Sequence, residues 1–160
     1  MSTLNLLPFG ASWADFGSQA PEFSAQVKNR FLEFRHHVMA TLSHDGSPRV
    51  SGTEVHWIDG RLIVGAQTGT RKVTDLSRDP RIAIHTNPGD GTMAKGDYKL
   101  TGRVNVLSGL DLERVNAQLM APFGAVLFEV LISVVTCTAV EGEALSVHVW
   151  QPNKGLTKVR

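Results

Sequence analysis

The spacing of apolar residues changes along the chain, and the change predicts a short helical part followed by a mostly β part. From Pro21 onward, apolar residues recur at spacings of four, four and three, the pattern of one face of an amphipathic helix: Phe23, Val27, Phe31 and Phe34. We expect this helix to end near His36. Residues 1–20 hold scattered apolar side chains without a sustained period, which predicts an N-terminal arm, with residues 21–160 as a single domain.

After the first helix the period falls to two or gives way to β-branched runs, which are typical of strands. The pattern predicts strands at 37–42, 49–58, 61–67, 81–86, 97–107, 126–140 and 144–150, and helices at 70–78 and 111–120. Two Asp-Gly pairs, at 45–46 and 59–60, make an antiparallel meander of the first three strands, and Gly102 indicates a bulge. Short turns without a βαβ rhythm predict a mainly β, α+β fold, a closed antiparallel barrel with helices at its ends.

Composition and charge exclude several function classes. The 160 residues carry 16 Lys+Arg and 15 Asp+Glu, a formal net charge of +1, which excludes a global attraction to nucleic acid or to a membrane surface. The first basic side chain is Lys28, and the longest apolar run, residues 125–140, is too short for a membrane span. We therefore expect a soluble cytoplasmic protein, in which the single cysteine, Cys137, is a small buried residue.

The segment that runs from a predicted strand into a predicted helix has the composition of an anion-binding site. After Gly65, Ala66 and Gln67, the predicted helix starts at Thr70. The Thr70 hydroxyl, the free N–H groups of the first turn and the cations Arg71 and Lys72 are all groups that bind anions. Residues 70–103 hold seven cations and four anions, a local charge of +3. These features predict a phosphate-binding site, with a solvated helix start as the alternative. The spacing of its glycines differs from that of a nucleotide triphosphate P-loop.

Other catalytic motifs are missing from the sequence. The six histidines show no HExxH spacing, and Ser51 lacks the GxSxG turn, so we expect no metal site and predict no catalytic side chain.

Three ordered segments together resemble the pyridoxamine 5′-phosphate oxidase-like superfamily. They read ATLSHDGSPRV at 40–50, DGRLIVG at 59–65 and TRKVTDLSRDPRIA at 70–83, and the resemblance extends over residues 25–152. It implies a split β-barrel of six or seven strands and a homodimer with a cofactor in the cleft between its subunits. FMN, the deazaflavin coenzyme F-420 and haem are the cofactors that the resemblance leaves open.

The resemblance also assigns residues to the cofactor. It places one strand along the isoalloxazine edge, at Arg49, Val50, Ser51 and Gly52, and a second strand beside it, at Gly65, Ala66 and Gln67. It assigns the cofactor phosphate to Thr70, Arg71 and Lys72, and it puts Trp150 near the partner subunit's cofactor.

These observations predict an oxidoreductase that transfers a hydride between a flavin-type cofactor and a small organic substrate. Because the cofactor carries the chemistry, no protein acid or base is required. Thr53, His56 and Trp57 lie near enough to the ring strand to contact a substrate. The alternatives are a haem-binding protein with His85 or His148 as axial ligand, and a flavin-binding module without turnover. Pyridoxamine phosphate oxidation itself is not expected, because the chain has no C-terminal run of Trp, Arg and His for that substrate.

Overall fold

Nine antiparallel strands and four helices make up residues 10–160, the part of the chain that the computed structural model describes. The helices are α1 (Trp13–Gln19), α2 (Pro21–Leu32), α3 (Arg71–Arg78) and α4 (Gly109–Leu119). The strands are β1 (His37–Leu42), β2 (Pro48–Thr53), β3 (His56–Ile58), β4 (Arg61–Gln67), β5 (Arg81–His85), β6 (Asp97–Val106), β7 (Ala125–Glu141), β8 (Ala144–Gln151) and β9 (Gly155–Lys158). The predicted mainly antiparallel α+β class is confirmed.

The sheet is not closed into a barrel, which corrects one expectation. The predicted strand 49–58 is interrupted at Glu54 and Val55, so that β2 pairs with β1 while β3 pairs with β4. These two short strands end the hydrogen-bonded path β2-β1-β5-β6-β7-β4-β3, and β8 and β9 extend it from β7. The predicted three-stranded meander is therefore two hairpins at opposite ends of one sheet. The interruption and β9 bring the strand count above the expected six or seven.

The expected arm is a helix over residues 13–19. Ser12 begins α1 with a capping box, since its Oγ accepts from the Asp15 N–H at 3.1 Å while its own N–H donates to the Asp15 carboxylate at 3.2 Å. Trp13 and Phe16 are buried in the core. The other apolar residues of the expected arm, Leu4, Leu6, Leu7 and Phe9, lie outside the described residues.

The second helix confirms most of the predicted stripe but ends earlier. Phe23, Val27 and Phe31 are buried on one face of α2. Because α2 ends at Leu32, Phe34 falls outside the helical period and is 38% exposed. Two apolar side chains, Leu32 and Phe34, are thus left at the surface where α2 meets β1.

The predicted bulge at Gly102 is confirmed. The register between β6 and β7 shifts between Thr101 and Gly102. A Cβ at Gly102 would lie 1.9 Å from the Leu131 carbonyl oxygen, so the close approach of the two backbones requires glycine there.

One face of the sheet carries the core and the other is less covered. Met39 and Ile84 are partners on the buried face, where α1 and α2 contribute to the main hydrophobic cluster. On the opposite face, Ala40 pairs with Val50 and Val38 pairs with Gly52, and Val38 and Val50 are 38% and 69% exposed. We call this second surface the outer face.

Candidate functional site

A cavity of about 510 Å³ opens where β2, β4 and the start of α3 meet. Its walls come from the ends of β2 and β4, from Lys72 on α3, and from the turn between α4 and β7 at residues 119–122. A further side is formed by charged and imidazole side chains: Arg35, His36, Glu54 and His56. The cavity brings together five of the residues predicted to bind a cofactor, namely Gly52, Gly65, Ala66, Gln67 and Lys72.

The wall formed by β2 and β4 is made flat by small residues. Gly52 is exposed on β2, and Gly65 and Ala66 follow one another on β4. A Cβ at Gly65 would lie 2.9 Å from Leu127 Cδ2, a side chain that also lines the cavity. The short side chains leave backbone accessible along two strands, which suits a planar ring system lying against the wall.

Two cations stand at the positive end of α3. Lys72 Nζ donates to the Gly52 carbonyl oxygen at 2.6 Å, which ties the helix to the flat wall. Arg71 is exposed and makes no ion pair with any of residues 10–160. Thr70 occupies the N-cap position, but its hydroxyl donates to the Gln67 carbonyl oxygen at 2.8 Å and caps no N–H group. The contact of this hydroxyl with an anion stays a prediction. The cations and the first-turn N–H groups remain as donors for a phosphate.

Arg49 does not line the cavity, and its side chain is bound to Asp75 on α3. Its Nε donates to the Asp75 carboxylate at 2.7 Å, and Thr41 Oγ1 donates to the same oxygen at 2.8 Å. Asp75 is 2% exposed. Burial would raise the pKa of Asp75, but the hydrogen bonds from Arg49, Thr41 and Arg78 outweigh burial and lower it. This ionised carboxylate on α3 binds Thr41 on β1 and Arg49 on β2, and so joins the helix to both strands.

Five further predicted residues also lie away from the cavity lining: Val50, Ser51, Thr70, Arg71 and Trp150. Val50 is exposed on the outer face, and the Ser51 hydroxyl is buried without a hydrogen-bond partner among the described residues. Trp150 is wholly buried, with its ring 4.4 Å from that of Phe16. Trp150 therefore packs in the core of its own chain, and its predicted place near a partner's cofactor stays a prediction.

The charged side of the cavity was not predicted, apart from His56. Glu54 Oε1 lies 3.0 Å from Arg35 Nε and 3.3 Å from His36 Nε2. Burial lowers the pKa of His56 and favours its neutral form, although Glu54 opposes this effect. No spacing in the sequence indicates this cluster, because the pairing of β1 with β2 is what brings residues 35–36 beside residue 54.

The histidines expected as haem ligands are elsewhere. His85 Nε2 is 4.0 Å from the Asp97 carboxylate, and His148 Nδ1 is 3.4 Å from Ser146 Oγ. Neither residue lines the cavity. Within residues 10–160 no cluster of three or more metal-binding side chains occurs, and no helix there is long and apolar enough to cross a membrane.

Comparison with known proteins adds a family and a set of similar folds. The family model described as pyridoxamine 5′-phosphate oxidase matches residues 23–147. A pyridoxamine 5′-phosphate oxidase-related, FMN binding protein from Nostoc punctiforme superposes with a TM-score of 0.71 at 11% identity, over 88% of this chain and 95% of that one. PhzG from Burkholderia lata, in complex with tetrahydrophenazine-1-carboxylic acid, superposes with a TM-score of 0.62 at 13% identity. The match covers 88% of this chain and 91% of that one.

A heme binding protein from Mycobacterium smegmatis gives a TM-score of 0.57 at 15% identity. The match covers 77% of this chain but 57% of that protein, so this chain spans just over half of its length. At these identities the three structures share the fold with this chain.

Proposed function

Because the chain belongs to the pyridoxamine 5′-phosphate oxidase family, we propose that its cavity binds a flavin-type cofactor, FMN or a deazaflavin, and that the protein transfers a hydride to or from a small organic substrate. One observation carries the proposal. A wall of small residues on two strands and a cationic helix start occur side by side, with Lys72 joining them through its bond to Gly52. This donor set fits a planar ring that carries a phosphate.

Each part of the site has a distinct task in this proposal. Arg71, Lys72 and the first-turn N–H groups of α3 would hold the phosphate, and Gly52, Gly65 and Ala66 would face the ring. When bound, the cofactor supplies the hydride chemistry. The protein binds and orients the reactants, and the turn at residues 119–122 restricts the access of water from one side.

We further propose that the protein acts as a homodimer. The outer face exposes Val38 and Val50 beside Gly52 of the cavity wall, and Met120, which lines another side of the cavity, is 84% exposed. Apolar side chains that surround a ligand cavity in this way are typical of a surface covered by another chain. A second copy placed there would close the open cavity. Light scattering that gives the mass of one chain would contradict this assembly.

Titration with FMN tests the cofactor assignment. FMN fluorescence should be quenched on binding, and Arg71→Ala or Lys72→Ala should weaken affinity roughly 10- to 100-fold, since a charge-assisted hydrogen bond contributes about 1.5–3 kcal/mol. Arg114→Ala is the matched control, because Arg114 is an exposed arginine on α4, away from the start of α3 that would hold the phosphate. Equal affinity in all variants would contradict the phosphate assignment. The same titration with a deazaflavin decides between the two cofactors.

Haem is a second candidate, and the two imidazoles of the cavity favour it. His36 and His56 line the cavity, and an imidazole is a common axial ligand of haem iron. Titration with hemin should then give a shifted visible absorption band that His56→Ala removes. If FMN binds and hemin produces no such band, this candidate is rejected. A flavin-binding module without turnover would bind FMN but reduce no substrate.

A further inference from the structure

A second cavity, of about 450 Å³, adjoins the first at the corner where α2 leads into β1. Arg35, Glu54 and His56 line both cavities. The remaining lining is mostly apolar and aromatic, and includes Phe31, Leu32, Phe34, Val55 and Trp57. The two cavities are therefore neighbours separated by three polar side chains. We call the second one the aromatic pocket.

The inner part of the aromatic pocket is buried, while its edge is exposed. Phe31 is 1% exposed, and its ring packs 4.7 Å from His37 and 6.0 Å from Trp57. Leu32 and Phe34 are 63% and 38% exposed at the edge. Burying such side chains against a ligand is favourable by about 25 cal/mol per Å² of apolar surface. An apolar ring is the occupant that this lining would bind.

The charges at the pocket favour an anion. Glu33 is paired with Arg30 at 2.7 Å and with Lys95 at 3.2 Å, and Glu54 is paired with Arg35 and His36. Lys28 Nζ lies 5.4 Å from the centre of the Trp57 ring. Both carboxylates are thus paired with cations, and the Arg35 side chain, which is 78% exposed, keeps N–H donors beyond the one that it gives to Glu54.

We propose that the aromatic pocket is the substrate subsite and that it takes a planar aromatic carboxylate. The ring would lie between Phe34 and Trp57, and the acidic group would bind Arg35 at the boundary with the first cavity. The role as substrate subsite rests on the proposed function, because it needs a cofactor in the first cavity. The preference for an aromatic acid rests on the pocket itself.

Calorimetric titration with 2-naphthoate tests the inference, with and without saturating FMN. We expect one naphthoate per chain, and we expect the neutral analogue 2-naphthalenemethanol to bind at least about three-fold more weakly, the size of a partly exposed charge interaction. Phe34→Ala should weaken naphthoate binding several-fold, and Arg35→Ala should abolish the preference for the acid over the alcohol. Phe123→Ala is the matched control, since Phe123 is an exposed phenylalanine outside both cavities.

The outcomes separate this inference from the proposed function. Naphthoate binding that Phe34→Ala leaves unchanged, or that Phe123→Ala weakens equally, would overturn the inference. FMN affinity should be the same in wild type and Phe34→Ala, because Phe34 lines only the aromatic pocket. If naphthoate binds in the expected pattern and FMN does not bind, the aromatic-acid site stands and the cofactor assignment fails.

Discussion

The two sides of the cavity system are built in different ways. On the α3 side, the flat wall of β4 and the cations follow one another within residues 65–72, so one continuous segment carries most of the groups. On the α2–β1 side, the groups come from residues 31–36 and 54–57, which only the folded sheet brings together. The first arrangement is suited to a constant ligand such as a cofactor. The second can change by single substitutions and is suited to setting substrate preference.

The two sides also differ in what holds them. A buried carboxylate, Asp75, fixes α3 to the sheet through Arg49 and Thr41. The aromatic pocket rests on packing between rings, with its charged pairs near the surface. We therefore expect the free energy of unfolding to fall strongly when the Asp75 network is changed. Removing a charge on the α2–β1 side should change it much less. Four predictions test this contrast.

The largest effect is expected from Asp75→Ala. The substitution leaves Arg49 and Arg78 without their carboxylate, and breaking a buried pair in this way costs about 3–5 kcal/mol. We expect about 3 kcal/mol, because the two arginine side chains are 33% and 34% exposed. Urea denaturation measures the loss. Asp79→Ala, four residues on, removes a carboxylate from the exposed pair with Arg81 and should cost clearly less; equal losses would contradict the contrast.

Acid should act on the same network. The pKa of Asp75 is lowered, because hydrogen bonds to Arg49, Thr41 and Arg78 outweigh the effect of burial. A carboxyl whose pKa is lower in the folded state stabilises the fold above its ordinary value of 3.8, and this stability is lost as the pH falls through the folded-state pKa. Urea denaturation over an acidic pH series should therefore show a shallower decline for Asp75→Asn than for wild type. Parallel declines would show that this carboxyl does not link folding to pH.

A smaller effect is expected on the α2–β1 side from Glu54→Gln. The Glu54 side chain is 33% exposed, and pairs of this kind contribute under about 1 kcal/mol to the free energy of unfolding. Removing its charge frees Arg35, so 2-naphthoate should bind roughly two- to five-fold more tightly. Glu141→Gln, which breaks an exposed pair with Lys158 far from the pocket, should leave naphthoate binding unchanged. Weaker binding in Glu54→Gln would place the acid elsewhere.

The smallest effect is expected at the start of α3. Thr70→Ala removes the hydroxyl bond to the Gln67 carbonyl but no cap of an N–H group, so it should cost about 0.5 kcal/mol. Ser12→Ala is the comparison, because Ser12 forms a complete capping box on α1 and should cost about 1 kcal/mol. Chemical denaturation of both variants checks the order. A larger loss at Thr70 would mean that its hydroxyl caps α3 in solution.

Local patterns predicted most of the elements, and tertiary context accounts for the errors. The strands flanking the Asp-Gly turns and the bulge at Gly102 depend on residues close in sequence, and all are present. Whether the sheet closes depends instead on contacts between residues distant in sequence. The break at Glu54 and Val55 places β2 and β3 at opposite ends of the sheet, which stays open. The helix α1 was missed because seven residues that include a glycine, Gly17, show no sustained apolar period.

The candidate site divides in the same way. Gly65, Ala66, Gln67 and Lys72 could be identified from one segment, and all four line the cavity. Arg49 and Trp150 could not be placed, since their contacts, Asp75 for Arg49 and Phe16 for Trp150, are distant in sequence. The same reason hides Arg35 and Glu54, whose contact depends on strand pairing.

The start of the described chain is bonded to a strand that lies late in the sequence, and this bears on the order of folding. Ala11 forms two backbone hydrogen bonds with Ile132 on β7, at 2.8 and 2.7 Å. β7 already pairs with β4, β6 and β8, so Ala11 joins the most connected strand of the sheet. Closing so long a loop is costly in chain entropy before other contacts exist. We therefore expect residues 11–19 to dock after the sheet has formed, and during synthesis the bonds to Ile132 can form only once that residue has been made.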